Sequence, residues 1–158
     1  MNNIQISDIF TSTERYKLFV MACNVEGMDA TITYLENKNV PVLNVGRELT
    51  VFIDVIKESK YLNIEVYDFV KRLFETRATI VKDTRIPVLA IYNLGILLEP
   101  KLELNATKLI AEVAKSNSLI VIWENGIGYT DLLHFNTQQN KYFFDFSEVK
   151  LKRLQHEI

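Results

Sequence analysis

The chain has 158 residues, 48% of them hydrophobic, and a formal net charge of −2; this is enough apolar material for one domain with a sizeable core and gives no global basic field for nucleic acid. A single cysteine, Cys23, rules out an internal disulfide and fits a reducing cytosol. The first residues, MNNIQISDIF, lack the basic start and apolar stretch of a secretory signal, and no apolar run reaches the roughly 18 residues of a membrane span, so a cytoplasmic protein with no membrane contact is expected.

In chain order, Tyr16 to Ala22 (YKLFVMA) is a compact apolar run ending at polar residues, which predicts a buried strand. Asp29 to Asn37 predicts a helix stopped by the NKN cluster, and VPVLNV a short second strand. Gly46 opens RELTVFIDVIKESK, where Leu49, Phe52, Ile53 and Ile56 recur at helical spacing. NIEVYDFVKRLFETR repeats the pattern with a stripe of Ile64, Tyr67, Val70, Leu73 and Phe74. Ile86 to Tyr92 is the next buried strand. NATKLIAEVAKSN predicts a helix capped by Asn105, with Leu109, Ile110 and Val113 inward. Ser118 to Trp123 is the last clear core strand. YTDLLHF and KYFFDF read as short strands or edge pieces, and EVKLKRLQHEI as a short helix or frayed tail.

Glycine and proline are scarce, at 5 and 3, and no linker or repeat divides the chain. Residues 1–158 therefore read as one domain. Strands alternating with helices predict an α/β, three-layer, P-loop-like fold with a mainly parallel central sheet. Ligands of such sheets sit beyond the carboxyl ends of the strands. That edge would collect the loops Cys23–Met28, Asn44–Gly46, Asn93–Gly95 and Glu124–Gly128.

The first of these loops has the layout of a phosphate-binding loop between strand and helix. A Walker A loop reads G-x-x-x-x-G-K followed by Ser or Thr; the four marked positions here are Ala22, Gly27, Met28 and Asp29. Met28 supplies no lysine charge, and Asp29 supplies no hydroxyl for magnesium. Glu26 and Asp29 put negative charge where phosphates would lie, and one like-charge contact near 4 Å costs roughly 4 kcal/mol at an effective dielectric of 20. Asp29 suits the helix N-terminus itself. The Walker B strand should end in an acid, but VLAIYNLGILLEP offers Tyr92 and Asn93. The cofactor site at Gly27, Met28 and Asp29 is thus read as degenerate and inactive, with no cofactor.

Read together, LFVMACNVEGMDAT, VLNVGREL, VLAIYNLGILLEPKLELNATKLI, SLIVIWENG and LLHFNTQQNKYFFDF resemble, in this order, the BrxF family. These are small P-loop proteins of BREX phage-exclusion systems. The family's loop lysine aligns with Met28 and its strand-end acid with Tyr92 or Asn93. The resemblance implies a role in anti-phage defence beside larger ATPase, methyltransferase and DNA-binding components. It does not imply that this chain hydrolyses ATP.

Other residues carry weaker signals. Cys23 sits before a loop as in a cysteine phosphatase, but the arginine needed six residues on is Asp29, so a plain buried cysteine is expected. His134 and His156 lie far apart without metal-ligand spacing, and no metal site is expected. Glu148 and Lys150, with Asp145 nearby, echo a nuclease motif too short to weigh. ENGIGYTD reads as a turn into a hairpin. Tyr142, Phe144 and Phe146 could stack bases, but without a basic surround they read as an edge strand packed on the core. Lys71, Arg72, Arg77, Lys82 and Arg85 form a loose basic region that could contact DNA phosphate; a solvated helix face is the plainer reading.

The expectation is a non-catalytic protein acting through other defence-system proteins, with DNA reached through the complex and a homo-oligomer left open. Two alternatives stand beside it: an ATP-binding or ATPase subunit completed by a partner, and a small DNA-binding adaptor.

Overall fold

The structure is a computed structural model that describes residues 3–81, 84–124, 132–135 and 142–154. Six strands form one sheet in which every pairing is parallel. They are β1 (Asn3–Ile4), β2 (Leu18–Ala22), β3 (Val42–Asn44), β4 (Val88–Tyr92), β5 (Ser118–Trp123) and β8 (Lys152–Leu154), in the spatial order β1-β8-β2-β5-β4-β3. The helices are α1 (Ile6–Ile9), α2 (Met28–Asn37), α3 (Val45–Ile56), α4 (Leu62–Arg77) and α5 (Ala106–Ser116). This is the three-layer α/β architecture expected of strands that alternate with helices.

The alternation of side chains along each strand builds the two halves of the core. Leu18 and Val20 of β2, Leu89 and Ile91 of β4, and Leu119 and Val121 of β5 face α3, α4 and α5. Phe19 and Met21, Val88 and Ala90, and Ile120 and Ile122 face α1 and α2. All six residues of β5 are buried, as a central strand covered on both sides requires. A second sheet pairs β6 (Leu132–His134) with β7 (Phe143–Asp145), antiparallel. It packs Leu133 and Phe144 into the α3–α5 side of the core.

Two sequence expectations change. EVKLKRLQHEI, read as a short helix or frayed tail, supplies strand β8, which is inserted between β1 and β2. Its alternation is masked by Lys152 and Arg153, whose side chains are half-buried while Leu154 is fully inside. The stripe of α4 is also rotated. Ile64 is 55% exposed, and Val66 takes the inward position with Val70, Leu73 and Phe74. Leu132–His134 and Phe143–Asp145 are short strands, as expected of YTDLLHF and KYFFDF, and they pair in a sheet of their own. Among the described residues no helix is long and apolar enough to cross a membrane.

Candidate functional site

The loop from β2 to α2 has the expected place and closes on itself. Gly27 takes the N-cap position of α2, at φ −88° and ψ 0°. Its N–H donates to the side chain of Asn24, at 2.6 Å to Oδ1, and also lies 3.1 Å from the Asn24 carbonyl. The Met28 N–H reaches the Val25 carbonyl at 3.4 Å, and the Thr31 hydroxyl donates to the Gly27 carbonyl at 2.9 Å. A phosphate loop keeps such N–H groups free and aimed inward; here the Gly27 donor is taken by the chain's own asparagine. Glu26 and Asp29 are exposed at the loop and first turn.

Met28 lies where a lysine would be needed and packs against the apolar core beside Cys23. The Cys23 Sγ is 3.9 Å from the Met28 Sδ. Burial pushes the Cys23 thiol above its ordinary pKa, opposed by a hydrogen bond with Thr31 and reinforced by the charge of Glu124. A raised pKa makes a thiol a poorer nucleophile at neutral pH; Cys23 is half-buried, less covered than the plain buried cysteine expected.

At the carboxyl end of β4, Tyr92 is half-buried and Asn93 turns the chain at φ 59°. The Asn93 amide donates to Asn44 Oδ1 at 2.8 Å. That same oxygen accepts from the Arg47 N–H at 3.0 Å, capping α3. The Walker B position therefore holds a neutral amide that ties two loops together. No group of three or more His, Cys, Asp or Glu among the described residues could hold a metal ion.

Met28, Asn93 to Gly95 and Glu124, from three of the expected loops, line one crevice at the strand ends, and Asn44 of the fourth is bonded to Asn93. The connection after β2 runs onto the α1–α2 face, while that after β5 leads to β6 and β7 on the opposite face. Such a change of side opens a crevice at the strand ends. Its volume is about 130 Å³, and Met28, Asn93, Trp123, Glu124 and Phe135 contribute to its walls. Trp123 is 2% exposed, and its indole nitrogen is buried without a hydrogen-bond partner. Sequence reading placed Trp123 only as a strand end and overlooked Asn24. The spacing of Asn24 and Gly27 was the available signal, since asparagine bonds to backbone groups a few residues on. Nothing in the sequence marks the indole N–H as unpaired. Residues 125–131, with the expected Gly126 and Gly128 turn, lie outside the described residues.

The remaining candidates are dispersed. Lys71 and Arg72 lie on α4, and Lys71 is close enough to help lower the pKa of Glu112. Arg77 lies 3.7 Å from Glu48. Arg85 lines a cavity of about 500 Å³ with Ile9 and Phe10, which pack on the opposite face of the sheet. Lys82 lies outside the described residues. Phe144 and Phe146 are fully buried and stacked on each other at 5.8 Å, so they present no face to a base; Tyr142 is half-buried. Asp145 Oδ1 accepts from the Ser147 N–H and hydroxyl at 3.0 and 2.7 Å, which holds its carboxyl below its ordinary pKa and fastens the turn carrying Glu148 and Lys150. The side chain of His134 and the whole of His156 are outside the described residues. No family model, curated protein or solved structure matches the chain.

Proposed function

We propose that this is a non-catalytic protein with a degenerate phosphate-type loop that acts by binding other proteins. We further propose, from the likeness of its segments to BrxF, that its partners are components of a cytoplasmic anti-phage defence complex. The observation that carries the non-catalytic reading is the 2.6 Å bond from the Gly27 N–H to Asn24 Oδ1. It uses inside the loop a donor that a nucleotide would require. Met28 in place of lysine and Asn93 in place of an acid point the same way, and a crevice of about 130 Å³ is too small for a nucleoside triphosphate. Exposed apolar side chains support a protein-binding role: Val25, 72% exposed, at the loop tip, and Val51 and Val55 one turn apart on α3.

The test is thermal unfolding with and without millimolar ATP and magnesium. A ligand at 100 times its dissociation constant adds about 2.7 kcal/mol, roughly 5–10 °C for a domain of this size. No shift is expected. A clear shift abolished by Gly27→Val would show a working nucleotide site and overturn the reading. Affinity purification of the tagged chain from its native cells should recover other defence-system proteins.

A further inference from the structure

We propose that the outer face of α3 pairs, antiparallel and about a two-fold axis, with the same face of a second copy of this chain. This names one partner and rests on the protein-binding reading above. Arg47, Thr50, Val51, Asp54, Val55 and, just past the helix end, Glu58 are all exposed, and they follow the three- and four-residue spacing of a single helix face. The opposite face is already satisfied, with Leu49 buried and Phe52, Ile53 and Ile56 packed on the core. Val51 and Val55, 65% and 80% exposed, therefore serve no contact within the chain's own core. Valine is a poorer helix former than alanine or lysine, so nothing in the helix itself favours two of them on a wet face. Of the seven exposed large apolar side chains among the described residues, four (Val51, Val55, Tyr61 and Ile64) fall within one stretch of chain, which marks a contact surface rather than scattered exposure.

Charge selects the occupant. The stripe opens on Arg47 and closes on Asp54 and Glu58, neither of which has an ion-pair partner among the described residues. Arg47 lies 3.8 Å from the adjacent Glu48, but Arg77 lies 3.7 Å from the same carboxylate oxygen. Glu48 thus stays paired when Arg47 turns outward. A parallel pairing of two copies would set Arg47 against Arg47 and Glu58 against Glu58. A two-fold axis near Phe52 and Ile53 instead places Arg47 of each copy beside Glu58 of the other, twice per dimer. It gathers the four valines at the centre and sets the two helix dipoles antiparallel. The face is self-complementary in the way a two-fold contact requires.

Size sets the strength. A helix of 12 residues presents a strip about 18 Å long and about 10 Å wide, well short of the roughly 800 Å² per partner of a stable complex. The dimer is therefore a weak one, populated at high concentration. The turn beyond the strip is stiff: the Ser59 hydroxyl donates to Glu65 Oε1 at 2.8 Å and accepts from the Tyr61 N–H at 3.1 Å. Little ordering is then needed on association.

The full chain is followed by sedimentation equilibrium from micromolar to millimolar concentration, with circular dichroism to confirm that each variant is folded. A reversible monomer–dimer equilibrium is expected. Val55→Glu should leave the chain monomeric, because it puts a carboxylate into the apolar centre. Arg47→Glu alone and Glu58→Arg alone should each weaken association about tenfold, since like charges then face one another at both ends. An equimolar mixture of these two variants should associate as the parent does, because every facing pair in the mixed dimer is again of opposite charge. A parent chain that stays monomeric at millimolar concentration, a dimer unmoved by Val55→Glu, or a mixture no tighter than its components would each overturn the proposal. A monomer that still recovers other proteins in affinity purification overturns the self-pairing alone, whereas a chain that neither pairs nor recovers other proteins overturns the protein-binding reading as well.

Discussion

Gly46 illustrates how a single residue sets the geometry of the carboxyl edge. A β-carbon there would lie 2.3 Å from Asn93 Nδ2, 2.7 Å from its Cγ and 3.0 Å from its carbonyl oxygen. Glycine is needed for this close approach. It lets the start of α3 press against the turn after β4 and brings Asn44 within reach of the Asn93 amide. Gly46→Ala is expected to destabilise by about 1–3 kcal/mol, as overpacking does, read as a lower midpoint in urea unfolding. Adding Asn93→Gly removes the clashing side chain and suits the positive φ. The double variant should recover part of the loss, and an additive loss would show that the two residues do not share the space. The sequence marks Gly46 as a helix opening, but its partner lies 47 positions away and carries no local sign.

Between elements, the contact of α4 with α5 is fastened by Tyr67, whose hydroxyl donates to Glu112 Oε2. Burial, then this bond, pushes the Tyr67 pKa up to about 12, and the bond lowers that of Glu112. A raised tyrosine pKa gives stability that is complete below its unfolded value near 10 and is lost as pH rises through about 12. A lowered carboxyl pKa gives stability present above its unfolded value of 4.5 and lost as pH falls through the folded value. Tyr67→Phe should therefore cost about 1 kcal/mol near neutral pH, where the bond is charge-assisted but partly in water. The gap to the parent should narrow in acid below pH 4.5 and in alkali between pH 10 and 12. A pH-independent gap in denaturation midpoints would assign the loss to packing alone. Strand β8 shows a different dependence. It is the only link between β1 and β2 in the described sheet, and its own Leu154 is buried. Removing residues 147–158 should expose the edge of β2, lower the melting temperature and promote aggregation; a truncated chain as stable and monodisperse as the parent would contradict this placement.

For the whole molecule, the central sheet separates the basic residues that are neighbours in sequence. Lys71 and Arg72 ride on α4 over one face, Arg77 faces Glu48, and Arg85 lies beside Ile9 and Phe10 on the other face. A duplex binds through several phosphates on one continuous surface, and its affinity falls steeply with salt. The isolated chain is expected to retain no duplex DNA at physiological ionic strength in a mobility-shift assay. Tight binding that weakens with salt and with Lys71→Glu and Arg72→Glu would favour the adaptor reading instead.

The sequence by itself determined the central strands and most helices, because these elements are specified by local periodicity. Five apolar residues in a row at β2 and a capping asparagine before α5 need no distant information. It also determined that the loop at Gly27 lacks a lysine and a hydroxyl. The facing of α4 was not legible, since Ile64 and Val66 each begin an apolar series at helical spacing and only packing selects between them. Strand β8 was not legible either, because its half-buried Lys152 and Arg153 give it the polarity of a surface tail. Only the tertiary structure decided that Asn24 closes the loop, that Asn93 and Asn44 bind across the edge, and that the Trp123 N–H is left over. Hydrogen-bond satisfaction depends on which side chains the fold brings within about 3 Å of one another. Local spacing fixes a residue's element, but the partners of its polar atoms come from wherever the sheet order places the other strands.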